Sequence, residues 1–331
     1  MRRSRIVART AMPSFVQGTS ADQVQARSAH RQDSARQERR SAAVVWLMIG
    51  GIGVLDVAGL VVTGVRMAPG SLLLYLSVPL GLLGIAAFYR ASGRSRRIAG
   101  TLAAVAQLFA LGVVGSIASY LLIRIERPFV DDALVWLDTM AGLDWPAYCR
   151  FIQTLGIWPN RGLELLYASS VVQIMAVAML LGFTARSARL AELVGCFVVT
   201  AGGVVVVGAL LPALGAHHAY GIADGGEAAF VPEIIAAHGG RVDPLDMVRM
   251  TGLVTFPSFH TVISLLLIVA TWGIRWVGPV VILVNAALLA GVPVYGSHHF
   301  VDMLGGAALT ALAVWLWRRL FVAPRRHPCT E

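Results

Sequence analysis

The chain has 331 residues, of which 57% are apolar and only 14% charged, against about 25% charged residues in an average soluble domain. With a mean hydropathy of +0.71, this excludes an ordinary soluble globule and predicts a chain embedded in a membrane. The formal net charge of +9 comes from Arg alone, since the sequence has no Lys; the Arg residues cluster in short segments between apolar runs, which signals topology and not nucleic-acid binding.

Residues 1–41 are rich in Arg, Ser, Gln and Ala without an apolar period and predict a disordered basic cytoplasmic tail. The first long apolar run begins near Ala43, later than the roughly 15–30 residues within which a secretory leader carries its apolar region. It therefore predicts a retained span. A spanning helix takes about 20 mostly apolar residues. Runs of that kind near 43–65, 71–89, 98–123, 162–183, 190–211, 258–274, 277–295 and 301–321 predict an all-α protein with about eight transmembrane helices.

Arg90, Arg94, Arg96 and Arg97 follow the second run, Arg186 and Arg189 the fourth, Arg275 the sixth, and Arg318, Arg319, Arg325 and Arg326 the eighth. All fall on the side of the basic tail, so the positive-inside rule puts both termini, including the tail 322–331, in the cytoplasm. Loops 124–161 and 212–257 fall on the opposite side, where acids such as Asp131, Asp138, Asp144, Glu233 and Asp243 balance the Arg residues. Cys149, Cys196 and Cys329 then occupy an outer loop, a span and the inner tail, which implies neither a disulfide framework nor a zinc site.

In the first outer loop, Trp136, Trp145 and Tyr148 predict an interfacial segment lying along the headgroups. In the second, Pro212-Ala213-Leu214-Gly215 and the run from Phe230 to Ala237 read as either a cover over a site or scaffold. His217, His218 and His238 lack metal-ligand spacing and read as solvated surface. Asp56, inside the first span, reads as a packed polar contact between helices.

Two segments carry chemistry: Phe256-Pro257-Ser258-Phe259-His260-Thr261 and Tyr295-Gly296-Ser297-His298-His299-Phe300-Val301-Asp302, each at the outer start of a predicted span. His298 and Asp302 are four residues apart, one turn along one helix face, so the carboxylate can hold the imidazole in one tautomer. Helix starts also present free backbone N–H groups and a positive dipole end. The two starts are expected to converge on one phosphate.

These segments resemble the second and third signature motifs of the type-2 phosphatidic acid phosphatase superfamily, the lipid phosphate phosphatases. The Phe-Pro-Ser-x-His and His-x-Phe-Val-Asp forms are most similar to its inositolphosphotransferase branch, which includes inositol phosphorylceramide synthase. The resemblance covers about residues 98–321 and implies a six-helix catalytic core, preceded by two extra helices within 42–97. It implies His298 as a nucleophile that forms a phosphohistidine, Asp302 as its orienting partner, and His260 as general acid and then base, with no metal and no other cofactor. Arg127, Ser258 and His299 are then the expected substrate-binding residues. The implied partners are a lipid-linked phosphate, water or an alcohol as acceptor, and the surrounding lipids, on the extracytoplasmic face of a bacterial inner membrane. No oligomeric state follows.

The sequence departs from the wider pattern. Arg127-Pro128 matches the end of the first motif, but Tyr120 stands where a Lys is usual, and Gly291 and Val292 stand where the third motif opens with Ser-Arg. Arg127, Arg124 and His299 are the available substitutes for a phosphate clamp. Two other classes compete: a transporter that uses the histidines as a proton path, which should show paired broken helices at mid-membrane, and an inactive scaffold, which the incomplete clamp allows.

Overall fold

A computed structural model describes residues 19–222 and 230–321. In chain order the helices are α1 (Thr19–Thr63), α2 (Pro69–Ala91), α3 (Arg96–Leu122), α4 (Asp131–Met140), α5 (Trp145–Thr154), α6 (Ile157–Ala168) and α7 (Ser170–Phe183). They continue with α8 (Ser187–Leu210), α9 (Ala216–Ala219), α10 (Val231–His238), α11 (Phe259–Thr271), α12 (Val277–Tyr295) and α13 (Phe300–Phe321). The fold is all-α, with no strand among the described residues.

Among the described residues six helices are long and apolar enough to cross a membrane: α1 from Arg36 onward, α2, α3, α8, α12 and α13. The chain is an integral membrane protein. The remaining two of the eight expected spans take other forms. The run 162–183 is split into α6 and α7, bent by 60°. At the break, Ser169 Oγ–H donates to the Leu166 carbonyl at 2.8 Å and its oxygen accepts from Gln173 Nε2 at 2.9 Å; a serine hydroxyl that competes for helix carbonyls bends the helix. The run 258–274 contains a helix of 13 residues, about 20 Å at 1.5 Å per residue, against about 30 Å of hydrocarbon.

The tail expected to be disordered is corrected in part. Residues 19–41 continue α1 without interruption, because Ala, Gln, Arg and Glu are good helix formers and the span beyond supplies the nucleus. Residues 1–18, the tail 322–331 and Cys329 lie outside the described residues; Cys149 and Cys196 are buried, and neither forms a disulfide among the described residues.

In lipid no hydrophobic force separates helix from hydrocarbon, so close packing across small residues holds the bundle. The central helix is α8: 61% of its apolar window is buried in protein, against 17% for α1 and 11% for α2. At Gly195 on α8 a Cβ would lie 2.0 Å from the Trp317 ring, so only glycine admits α13 at that distance.

The Arg-rich helix ends gather at one end of the bundle. Arg97 donates to the Phe183 carbonyl, Arg189 to that of Trp272, and Arg318 pairs with Glu192. The short helices α4, α5, α9 and α10 collect at the other end. Asp131 ties them to the bundle there, its carboxylate accepting from Leu214 N–H and Gly215 N–H at 2.8–3.0 Å.

Candidate active site

Two turns meet at that second end. The segment before α11 is extended at Ser258, whose Oγ accepts from Thr261 N–H at 3.3 Å and so caps the helix. Ser258 N–H in turn donates to the Asp302 carbonyl at 3.0 Å. Glycine makes this approach possible, since a Cβ at Gly306 on α13 would lie 2.5 Å from the Ser258 carbonyl oxygen.

The second turn joins α12 to α13. Ser297 sits in the left-handed region at φ 51°, strained for a residue with a Cβ, and is held from both sides. Its carbonyl accepts from Ala216 N–H at 2.7 Å and its Oγ from His217 N–H at 2.9 Å. A Cβ at Gly215 would meet the Ser297 carbonyl at 2.8 Å. Pro212–Gly215 is therefore scaffold for this turn and not a cover. The run from Phe230 to Ala237 forms most of α10, whose Ile234 and Ala237 pack with Tyr120 and Ile123 at the end of α3.

His298, in the turn before α13, and Asp302, in the first turn of that helix, are both buried, with His298 Nδ1 3.2 Å from Asp302 Oδ2; the pair thus spans a helix start and does not share one helix face. The same oxygen accepts from His299 N–H at 2.9 Å. His260, half-buried at the start of α11, faces His298 with ring centroids 6.2 Å apart. Tyr167, on the last turn of α6, stacks on His260 at 3.9 Å and 24°, so the break at Ser169 sits next to a residue that fixes an imidazole. At Gly296 a Cβ would meet His298 Cδ2 at 2.5 Å and Tyr167 Cε2 at 2.9 Å; this glycine is what lets both rings come together.

The expectation of two free helix starts is corrected. Fully buried Asp138, on α4, accepts from Phe300 N–H at 3.0 Å and Val301 N–H at 2.9 Å, so a carboxylate already occupies the positive end of α13. At α11 the Phe259 and His260 N–H groups remain without a hydrogen-bond partner among the described residues, as helix geometry leaves the first N–H groups. An anion therefore has one helix start to meet, not two.

The expected substrate-binding residues divide. His299 is wholly buried beside Asp138, its Nδ1 3.6 Å from Asp138 Oδ2, and neither ring nitrogen has a hydrogen bond; it faces Tyr220, not the other two imidazoles. The Ser258 hydroxyl is committed to the cap. Arg127 is exposed, and its only hydrogen bond among the described residues is through its carbonyl, to His238 Nε2 at 2.8 Å. Arg124 donates to the Val242 carbonyl, and Tyr120 bonds Glu233 and Thr251. The Arg124 guanidinium thus serves loop structure, because the segment 230–253 folds back onto the end of α3, whereas the Arg127 guanidinium makes no hydrogen bond among the described residues.

Sequence reasoning missed Asp138, Tyr167 and Gly296, and misplaced Trp145. That indole is fully buried and donates to the carbonyls of His298 at 3.0 Å and Pro293 at 3.2 Å; of the three aromatic anchors, Trp136 is the exposed one. Burial, and then the charges of Asp138 and Asp144, raise the pKa of the Tyr220 phenol that stacks on Trp145. One signal for Asp138 was present: seven residues after Asp131 it shares that residue's helix face. Among the described residues no group of three or more His, Cys, Asp or Glu side chains is arranged to hold a metal ion.

A family model described as the PAP2 superfamily matches residues 132–316, more than half of the chain. It includes both histidine segments and leaves α1–α3 and Arg127-Pro128 outside. No curated protein and no solved structure matches the chain.

Proposed function

We propose, from the premise that this chain belongs to the PAP2 superfamily, that it is a membrane-embedded phosphoryl-transfer enzyme acting on a lipid-linked phosphate through His298. Membership is consistent with phosphatase or phosphoryl-transfer chemistry in general. The observation that carries the specific reading is the buried, hydrogen-bonded His298–Asp302 pair facing His260.

An ionised carboxylate only accepts hydrogen bonds, so His298 donates Nδ1–H to Asp302 and keeps a lone pair on Nε2. In the proposed reaction Nε2 attacks phosphorus, the P–O bond to the lipid alcohol breaks, and protonated His260 gives its proton to the departing oxygen. Water or an alcohol then attacks the phosphohistidine and loses its proton to His260. The P–N bond breaks, and both imidazoles return to their starting states. The free N–H groups of Phe259 and His260 at the α11 dipole end are the donors for the phosphoryl oxygens.

Transfer to an alcohol, as in the inositolphosphotransferase branch, is the finer form of this reading. The His-x-Phe-Val-Asp form at 298–302 supports it, as does Gly291-Val292 in place of Ser-Arg. The collection of Arg-rich ends opposite the histidines supports an active site on the extracytoplasmic side with both termini inside.

The test is incubation of the purified full chain in lipid with phosphatidic acid, phosphatidylinositol and polyprenyl phosphates, each with and without diacylglycerol or ceramide. Free phosphate and new phospholipids are read together by mass spectrometry. New phospholipid with an acid-labile phosphohistidine at residue 298 is expected; release of neither product from any lipid, with no phosphoenzyme, refutes the proposal.

A further inference from the structure

The first span carries an ionisable residue for which the histidine chemistry has no use. Asp56 is 4% exposed. Neither of its carboxylate oxygens meets a hydrogen-bond donor among the described residues, and Oδ2 is fully enclosed. The expectation of a polar contact between helices is therefore corrected: no polar partner among the described residues reaches it.

Asp56 instead lines a cavity of about 260 Å³ between α1, α3 and α8, walled by Ile52, Gly59, Leu111, Gly115, Gly202 and Val206. Missing side chains make this space, since a Cβ at Gly115 or Gly202 would meet nothing within 4 Å. The cavity opens toward lipid beside Leu55 and Val206, which are 72% and 50% exposed. Asp56 lies seven residues before the end of α1 at Thr63, so about 10 Å in from that end, which is the end where the histidines sit.

A carboxyl group held in hydrocarbon is costly unless it finds a partner, and an ionisable residue in a span marks a functional site by default. The partner has to reach it from the lipid. A phosphate would repel the carboxylate, and an ammonium would itself be desolvated at this depth. A hydroxyl both donates and accepts, so it satisfies the carboxyl group in either protonation state at little desolvation cost. The walls suit a hydrocarbon chain, and the volume lies below the roughly 300–1,000 Å³ of pockets that enclose whole drug-sized ligands.

We propose that this cavity binds the hydroxyl end of an uncharged single-chain lipid alcohol, hydrogen-bonded to Asp56. The site shares no residue with the histidine cluster and stands independently of the phosphoryl chemistry.

The test uses the full chain in phosphatidylcholine nanodiscs with a photoreactive long-chain alcohol and its methyl ether, crosslinks being mapped by mass spectrometry. The alcohol should label the facing residues of α1 and α8 about three- to tenfold more than the ether, the worth of one net hydrogen bond. Asp56→Leu should remove that excess, and Gly202→Leu, which fills the cavity and leaves Asp56 in place, should remove labelling by both probes. Equal labelling of the wild type by alcohol and ether, or labelling that survives Gly202→Leu, would overturn the proposal even if Asp56→Leu failed to fold.

Discussion

Asp138→Ala probes the architecture of the site without touching either imidazole proposed to react. Asp138 is fully buried and accepts from both Phe300 N–H and Val301 N–H. Removing an exposed helix cap typically costs about 1 kcal/mol, because water takes over the freed donors. Here no water does so at a fully buried position. Each buried donor left unpaired costs about 1–3 kcal/mol, so Asp138→Ala should lose about 2–6 kcal/mol of stability around the start of α13. Asp138→Asn keeps one acceptor oxygen but turns an amide N–H toward the other donor, so it should lose about 1–3 kcal/mol for that unpaired N–H and about 0.3–1 kcal/mol of charge–dipole stabilisation. His298 lies just before these two N–H groups, and a displacement of about 1 Å at a reacting group can cost about 100-fold in rate. Phosphoenzyme formation should therefore fall by about that factor in Asp138→Ala and by less in Asp138→Asn, which keeps one of the two N–H groups paired. Rapid-quench trapping with an aryl phosphate, alongside thermal melting in detergent, reads both quantities. If Asp138→Ala melts and reacts like the wild type, the cap does not hold the site and the argument from burial fails.

Gly296→Ala should lose about 100-fold in the same assay, since its Cβ must displace His298 or Tyr167; near-normal turnover would show that the turn has room to give. Tyr167→Ala removes a ring stacked on His260, worth about 0.5–1.5 kcal/mol, and should slow substrates with poor leaving groups more than activated ones, whereas an equal effect on both would separate Tyr167 from proton transfer. Arg127→Ala should keep at least about half of the rate, as expected for an exposed side chain free of special contacts; loss of most activity would bring that guanidinium back to the phosphate. In a cysteine-free background, a cysteine in place of exposed Arg249 should react with a membrane-impermeant maleimide in intact cells and one at Ser95 should not, and the opposite pattern would invert the orientation.

Some of this is legible without coordinates because it is local. A membrane requires every backbone polar group to be satisfied within the segment, so an apolar run of sufficient length already specifies a helix, and the run 277–295 coincides with α12. The four-residue spacing of His298 and Asp302 is legible in the same way, although His298 stands in the turn before α13 and not on the helix itself. The break at Ser169 is less legible, since a serine hydroxyl bends a helix only when its geometry captures a carbonyl. The substrate role expected of Arg127 and Ser258 rests on motif position alone; in the structure one stands on an exposed loop edge and the other caps α11.

Sequence by itself determined the membrane class, the gathering of Arg at one set of helix ends, and the spacing that lets a carboxylate orient an imidazole. Tertiary structure alone decided that His260 faces His298, that Asp138 occupies the start of α13, and that Asp56 opens on a cavity instead of a partner. The reason is physical: hydropathy and helical period act over one or two turns, whereas a hydrogen bond between Asp138 and Val301, 163 positions apart, depends on how several helices pack, and no periodicity along the chain encodes it.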